Sequence, residues 1–224
     1  RGSGSIAVAH RLTILLLLLL ALVVVGCGGA EVDACNDDGA LFFDDFREGQ
    51  DCGWVLYNRS GAAVEREGET LRLTTSQPGQ IWWTNAGRNF DDLILTADIQ
   101  HIDGPRDNAY GLICRYQSSE NFYVFLISSD GYYAIGKYQS GNAQITYLNE
   151  GGEYTFSEAI DQEAGINRVR ASCIGNELSL SVNGVLLESV SDPTFVTGDI
   201  GLAASTFETG TLEIAFDNVR VIAP

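Results

Sequence analysis

The sequence predicts an all-β fold, a two-sheet antiparallel sandwich, on three observations. From Leu41 onward the chain alternates short apolar runs with turn residues and sustains no 3.6-residue period. The dipeptides Asp130-Gly131, Gly141-Asn142, Gly175-Asn176 and Asn183-Gly184 separate β-rich runs and favour the positive φ angles of hairpin turns. Two runs alternate cleanly: Val169, Ala171 and Cys173 oppose Arg168, Arg170 and Ser172, and Leu178, Leu180 and Val182 oppose Ser179 and Ser181. One face of each is core and the other is wet.

The strands are expected, in order, at Leu41–Phe46, Gly53–Tyr57, Ala63–Arg66, Thr70–Thr74, Ile81–Thr84, Leu93–His101, Ala109–Tyr116, Phe122–Ile127, Tyr132–Tyr138 and Gln144–Leu148, with further strands starting near Asn167, Glu177, Val185, Asp199 and Thr211. The run Phe122–Ile127 is apolar on both faces, so its second face is either roofed by loops or lines a groove. A two-residue turn at Asp130-Gly131 would set Val124 opposite Lys137 and Leu126 opposite Ile135. No internal repeat or linker interrupts the folded part, which is long enough for one domain.

Ahead of it lies a leader. Leu12–Val25 is an almost unbroken apolar run, including the leucines from Leu15 to Leu20, preceded by Arg1 and Arg11. Its length, about 21 Å as a helix, falls short of the roughly 30 Å hydrocarbon core and suits a secretion signal over residues 1–26. Val24-Val25-Gly26-Cys27 resembles a bacterial lipobox, which implies acylation of Cys27 and an exported, lipid-anchored protein. An ordinary signal peptide cleaved near Gly28–Ala30 is the alternative. Residues 27–40 then read as a tether and 41–224 as the domain.

The 224 residues carry 13 Lys+Arg against 30 Asp+Glu, a net charge of -17, with Lys137 the single lysine. Loss of Arg1 and Arg11 with the leader makes the balance -19. Such a surface excludes the counterion release that drives nucleic-acid binding and repels anionic headgroups, so membrane contact falls to the acyl chains. With Cys27 acylated, Cys35, Cys52, Cys114 and Cys173 form an even set. Pairing Cys35 with Cys52 and Cys114 with Cys173 is favoured among three connectivities, because the first pins the tether and the second joins two strands. Structural zinc is disfavoured by the wide cysteine spacing. His101, the one histidine beyond the leader, reads as a surface or core residue rather than a partner for a catalytic cysteine.

Several runs carry a family likeness. Leu41–Phe46, Gly53-Trp54, Tyr110–Gln117, Asn121–Tyr123, Ile127–Tyr133, Gly136-Lys137, Val182–Gly184, Gly198–Leu202 and Phe216–Val219 together resemble the concanavalin A-like lectin/glucanase superfamily, and within it laminin G-like and 3-keto-disaccharide-hydrolase-like jelly rolls of bacterial lipoproteins. The resemblance implies a curved antiparallel jelly roll and leaves lectin, hydrolase and structural module open.

For chemistry, the Glu-x-Asp-x-x-Glu strand of the family 16 glycoside hydrolases is absent. Carboxylates from separate strands, such as Asp98 and Glu213, could still meet. The expected function is therefore non-catalytic binding of a glycan or another cell-surface partner, with a glycoside-active enzyme and a structural module as alternatives. Trp82, Trp83, Arg115, Tyr123, Tyr133 and Lys137 are the candidate sugar-contacting residues, since flat rings cover the apolar faces of pyranoses and fixed donors meet their hydroxyls. Asp44 and Asp217 share strand parity with apolar neighbours, Phe42 and Phe46 in one case and Val219 and Val221 in the other. They are therefore expected to point inward and to hold a structural calcium, as similar jelly rolls do near their terminal strands.

Overall fold

The structure, a computed structural model, describes residues 35–224 except 38, 143 and 164. The expected leader and Cys27 lie outside the described residues. The described chain is all β, sixteen strands in two antiparallel sheets.

Nine strands form the first sheet: β1 (Phe42–Asp44), β2 (Tyr57–Arg59), β3 (Ala62–Glu67), β4 (Thr70–Thr75), β6 (Leu93–Asp103), β12 (Ile166–Ile174), β13 (Glu177–Val182), β14 (Val185–Ser191) and β16 (Leu212–Ile222). Seven form the second: β5 (Trp82–Asn85), β7 (Asn108–Ser118), β8 (Asn121–Ile127), β9 (Tyr132–Tyr138), β10 (Thr146–Tyr147), β11 (Thr155–Phe156) and β15 (Asp199–Thr206). Spatial order in the first runs β14-β13-β12-β6-β16-β4-β3-β2, with β1 also on β16; in the second it runs β10-β9-β8-β7-β15-β5, with β11 also on β9.

Alternation places one row of each of the longer strands other than β14 in the core between the sheets. Val64, Leu71, Leu73, Leu95, Val169, Leu180 and Phe216 from one side meet Leu112, Tyr123, Phe125, Ile135 and Leu202 from the other, all fully buried. Cys114 on β7 and Cys173 on β12 join the two sheets through a disulfide, and Cys35 is bonded to Cys52. Both expected pairings are present. Residues 35–37 are held to the domain: the Phe43 amide donates to the Cys35 carbonyl (2.7 Å), and Arg220 pairs with Asp37 (2.5 Å).

Asn183-Gly184 forms the expected two-residue turn, with φ of 52° and 85° and Val182 opposite Val185. Asp130-Gly131 does not. Ser128 and Tyr132 close a three-residue loop, Ser129-Asp130-Gly131, the Ser128 amide donating to the Tyr132 carbonyl (2.8 Å) and Gly131 taking φ 96°. The extra residue slides β9 by one position, so Tyr123 faces Lys137 and Val124 faces Gly136. The strand expected at Gly53–Tyr57 starts only at Tyr57. Ahead of it the chain runs beside β5, tied by the Val55 amide to the Asn85 carbonyl (3.1 Å), with Trp54 turned into the core.

Candidate functional site

The outer faces of the two sheets differ in kind. On the nine-stranded sheet the outward row is charged and internally paired: Arg168 grips Asp98 with two hydrogen bonds (2.7 and 2.8 Å), and Arg72 meets Glu213 at 2.9 Å. On the seven-stranded sheet the outward row is apolar. Ala109, Ile113, Phe122, Val124, Leu126 and Ala203 form a second hydrophobic cluster on the side away from the core, all within 2% of full burial. An apolar back on an antiparallel sheet needs a cover, because its loss to water would cost about 25 cal/mol for each Å².

The cover is partial. The chain leaving β9 folds back as a strap over residues 139–156, stitched to the β9 edge by β10 and β11 and by the Asn149 side chain, whose Oδ1 accepts from the Ile135 amide (2.7 Å). It lays Ile145 and Tyr154 against the cluster. Gly136 makes room for it: a Cβ there would lie 3.2 Å from both Ile145 and Val124. At the other flank Trp83, Tyr116 and Tyr138 converge on Phe122, with ring centroids 5.3, 5.6 and 4.7 Å from it.

Two cavities lie between strap and sheet, and another adjoins them at the β5 edge, beyond the strap. The central one, about 390 Å³, is lined by Ile81, Leu126, Tyr138, Ile145, Tyr147 and Tyr154, with Ser205 and Phe207 at its side, and it has no charged lining residue. It shares Tyr147, Tyr154 and Phe207 with a cavity of about 440 Å³ whose far wall holds Asp107, Asp130 and Tyr132. It shares Ile81 with a third, about 360 Å³, at the β5 edge among Tyr57, Arg59, Trp82, Trp83 and Tyr116. The result is a groove walled by aromatic rings. Burial raises the Tyr138 and Tyr154 phenols above the usual range, Tyr154 the more strongly, and the neighbouring Tyr147 adds to both. These hydroxyls therefore stay protonated and able to donate.

Of the six candidate sugar-contacting residues, the structure brings Trp83 to the back of the sheet, opposite Ala203, while Trp82, opposite Ala204, packs toward the core and reaches only the cavity at the β5 edge. The other four lie elsewhere. Tyr123 is fully buried on the inner face of β8, where its hydroxyl donates to Asp192 Oδ1 (2.6 Å) and accepts from the Phe195 amide (3.0 Å). Lys137, brought to the same face by the register slip, donates to Asp192 Oδ2 (2.6 Å) and Thr194 Oγ1 (2.9 Å). Burial alone pushes the Asp192 carboxyl up, but hydrogen bonds from Lys137, Thr194 and Tyr123 outweigh it and bring it down to about 2. The Tyr123 phenol is pushed up to about 12, by burial first and by Asp192 next. Tyr133 also turns inward and donates to the Leu187 carbonyl (3.0 Å).

Arg115 departs from simple alternation. Ile113 faces outward and Cys114 inward, so Arg115 should face outward again. A β-bulge intervenes, with Arg115 at φ 53° and the register shifting on both flanking ladders. Its guanidinium is 1% exposed and donates to the carbonyls of Gly175 (2.8 Å) and Phe195 (2.7 Å) and to Asp92 (3.2 Å). It ties together loops at one end of the sandwich.

Asp44 turns inward as expected and is fully buried. It accepts from the Phe46 amide (2.8 Å), the Trp54 indole (3.0 Å) and Arg66 (3.2 Å), while burial, the largest influence, raises its pKa. Asp217 does not point inward. A bulge at Asn218 (φ 50°) breaks the parity that links it to Val219, and Asp217 faces Asp98 on the outer surface, its charge met by the Asn218 amide (2.6 Å). Among the described residues no group of three or more His, Cys, Asp or Glu is arranged to hold a metal ion. Asp98 and Glu213 belong to separate ion pairs four residues apart along β16, since Asp98 faces Asp217. His101 sits on β6 opposite Ile214, its pKa lowered mainly by burial and next by Arg106.

Solved structures share the fold. The carbohydrate-binding module CBM66 from Bacillus subtilis superposes with a TM-score of 0.58 over 76% of this chain and 96% of its own, at 19% identity. The Bacillus licheniformis beta-glucanase does so with a TM-score of 0.58 over 84% and 100%, at 11% identity, and a Bacillus subtilis protein of unknown function with a galectin-like fold reaches 0.59 over 84% and 97%, at 13% identity. The fold is a concanavalin A-like jelly roll. No family model and no curated protein matches the sequence. At these identities the likeness carries the jelly-roll architecture alone, and the function has to be argued from the groove.

The groove residues absent from the sequence-based candidates include the rings of Tyr57, Tyr116, Tyr132, Tyr138, Tyr147, Tyr154 and Phe207 and the charged Arg59, Asp107 and Asp130. Tyr147 and Tyr154 lie seven positions apart in a glycine-punctuated segment otherwise poor in apolar residues, which is the signal that could have flagged a strap.

Proposed function

We propose that this jelly roll is a non-catalytic glycan-binding module, exported and held at the outer face of a bacterial membrane by a lipid on Cys27. The observation that carries the reading is the aromatic groove on the back of the seven-stranded sheet. Its central cavity is lined by phenol, indole-flanked and aliphatic surfaces with no charge, which suits stacking against the apolar faces of uncharged sugar rings. The two disulfides support export, since such bonds persist in oxidising compartments.

Retention on immobilised neutral polysaccharides tests the binding. Phe207 is 40% exposed at the groove wall and Tyr147 is half-buried beside it, so F207A and Y147A remove ring surface with little cost to folding. Each is expected to weaken retention about tenfold, the order of one aromatic contact. Absence of binding across a broad glycan panel by the folded wild-type domain rejects the reading. For the anchor, metabolic labelling with palmitate is expected in the full chain and lost in C27S.

One observation favours a second reading, glycoside hydrolysis. Asp107 and Asp130 both line the cavity at the far end of the groove. Two carboxyls about 5 to 9.5 Å apart across a glycosidic bond are what hydrolysis requires. Reducing-sugar release that D130N abolishes would establish that reading over simple binding.

A further inference from the structure

The groove is polarised along its length. Asp107 and Asp130 are the charged lining residues at one end, the centre has none, and Arg59 is the single charged lining residue of the cavity at the β5 edge. In a chain with 30 acidic against 13 basic residues, most cations among the described residues are bound to carboxylates, Arg66 to Asp44 and Arg72 to Glu213 for example. Arg59 is not. Its guanidinium lies 4.2 Å from the centre of the Tyr57 ring, it is exposed, and among the described residues no carboxylate pairs with it.

The surroundings hold that guanidinium at the cavity. The Tyr57 hydroxyl donates to the Trp83 carbonyl (3.1 Å), which fixes the ring under Arg59, and the Trp82 ring lies 6.5 Å from it. Burial raises the Tyr57 phenol's pKa, with Arg59 opposing, so it remains a donor. Trp82 lines the same cavity with its ring, while its indole N–H is buried, packed toward the core side of the sheet. Trp83 and Tyr116, with ring centroids 6.3 Å apart, form the wall toward the centre of the groove. A planar cationic fork beside aromatic ring faces in a cavity of about 360 Å³ suits a carboxylate carried on a ring that stacks.

We infer that the β5-edge cavity is an acidic-sugar subsite, which takes the carboxylate of a uronic acid unit at one end of a glycan whose next units are uncharged. This rests on the glycan reading of the groove and specifies its ligand class. A polyanion is excluded, because the far end of the groove is acidic and the net charge of -17 repels repeated negative charge.

The test compares methyl β-glucuronide with methyl β-glucoside by NMR titration, read at the tryptophan indole N–H signals. The glucuronide is expected to bind about tenfold tighter and to shift the Trp82 indole signal, with the preference fading at high salt. R59M is expected to abolish the preference, and R59K, which keeps the charge and loses the fork, to restore part of it. Unchanged melting of both variants shows that the exposed side chain can be replaced without loss of fold. Equal binding of the two glycosides by the wild type, or a preference that survives R59M, overturns the subsite. Neutral-oligosaccharide binding that is sensitive to Y147A and indifferent to R59M would leave the glycan reading standing when the subsite fails. Absence of all sugar binding removes both.

Discussion

Replacing Asp192 by Asn should remove a pH-dependent part of the stability whose sign and window the structure fixes. Asp192 is 9% exposed and accepts from Lys137, Tyr123 and the Thr194 amide at 2.6, 2.6 and 2.9 Å. Its carboxyl is held at about 2 in the folded protein against an ordinary 3.8. A folded-state value below the unfolded one means the unfolded chain binds the proton more readily, so the contribution is complete above about pH 4 and is lost as pH falls toward 2. A shift of this size corresponds to about 2 kcal/mol at neutral pH, at about 1.4 kcal/mol for each pH unit. Asp44, Asp199 and Asp217 have raised values, with burial the largest cause in each, and so bias the total in the opposite direction over the acid range. The quantity to measure is therefore the difference between wild type and D192N, from urea midpoints at pH 7, 5, 4, 3 and 2. It should be about 2 kcal/mol at pH 7 and 5 and shrink toward zero by pH 2. A difference that stays constant across that range would refute the ion-pair account and leave only a packing or hydrogen-bond defect.

Reduction of the disulfides should destabilise the domain by unequal amounts. The loop of 59 residues closed by Cys114–Cys173 contributes about 4 kcal/mol and the loop of 17 closed by Cys35–Cys52 about 3 kcal/mol in the chain-entropy account, so C114A/C173A should lower the urea midpoint more than C35A/C52A. D44A strands the partly buried Arg66 and the Trp54 indole donor and should cost about 3 kcal/mol, equally in calcium and in chelator. A chelator-dependent loss of melting temperature in the wild type that disappears in D44A would instead make Asp44 a cation ligand. F122A, at the centre of the outer cluster and stacked on Tyr138, should cost about 3 to 5 kcal/mol by chemical denaturation, as for a core phenylalanine; a cost under about 1 kcal/mol would mean that Trp83, Tyr116 and Tyr138 do not bury it.

The architecture was legible in the sequence because period-2 patterning is a local signal, repeated strand after strand. Val169, Ala171 and Cys173 lie inside, and Asn183-Gly184 turns as two φ-positive residues must. Tyr123 faces inward because a strand apolar on both faces does not mark which parity is core, and the other errors over facing direction trace to one residue of register or bulge. Ser129-Asp130-Gly131 closes as three residues and not two, which moves Lys137 to the inner face; the bulges at Arg115 and Asn218 reverse the facing of the residues beyond them. Nothing in composition marks these positions. Arg115 at positive φ is held there by long-range partners, the carbonyls of Phe195 and Gly175, and Asn218 by Asp98. The cysteine pairing was legible because only four candidates remained, two of them in strands.

The position of the groove comes from an asymmetry that alternation by itself does not predict. Both sheets present an outward row, yet one is satisfied by its own ion pairs and the other is apolar and only partly covered. The strap over 139–156 covers the face partly with rings, stops short of Trp83 at one flank and leaves a cavity against Asp107 and Asp130 at the other. A purely structural cover would gain by closing those openings, because each exposed ring leaves apolar area in water. Leaving Tyr132, Phe156 and Phe207 between 40 and 49% exposed around the same groove sacrifices that stabilisation, which a bound partner with flat apolar faces would return.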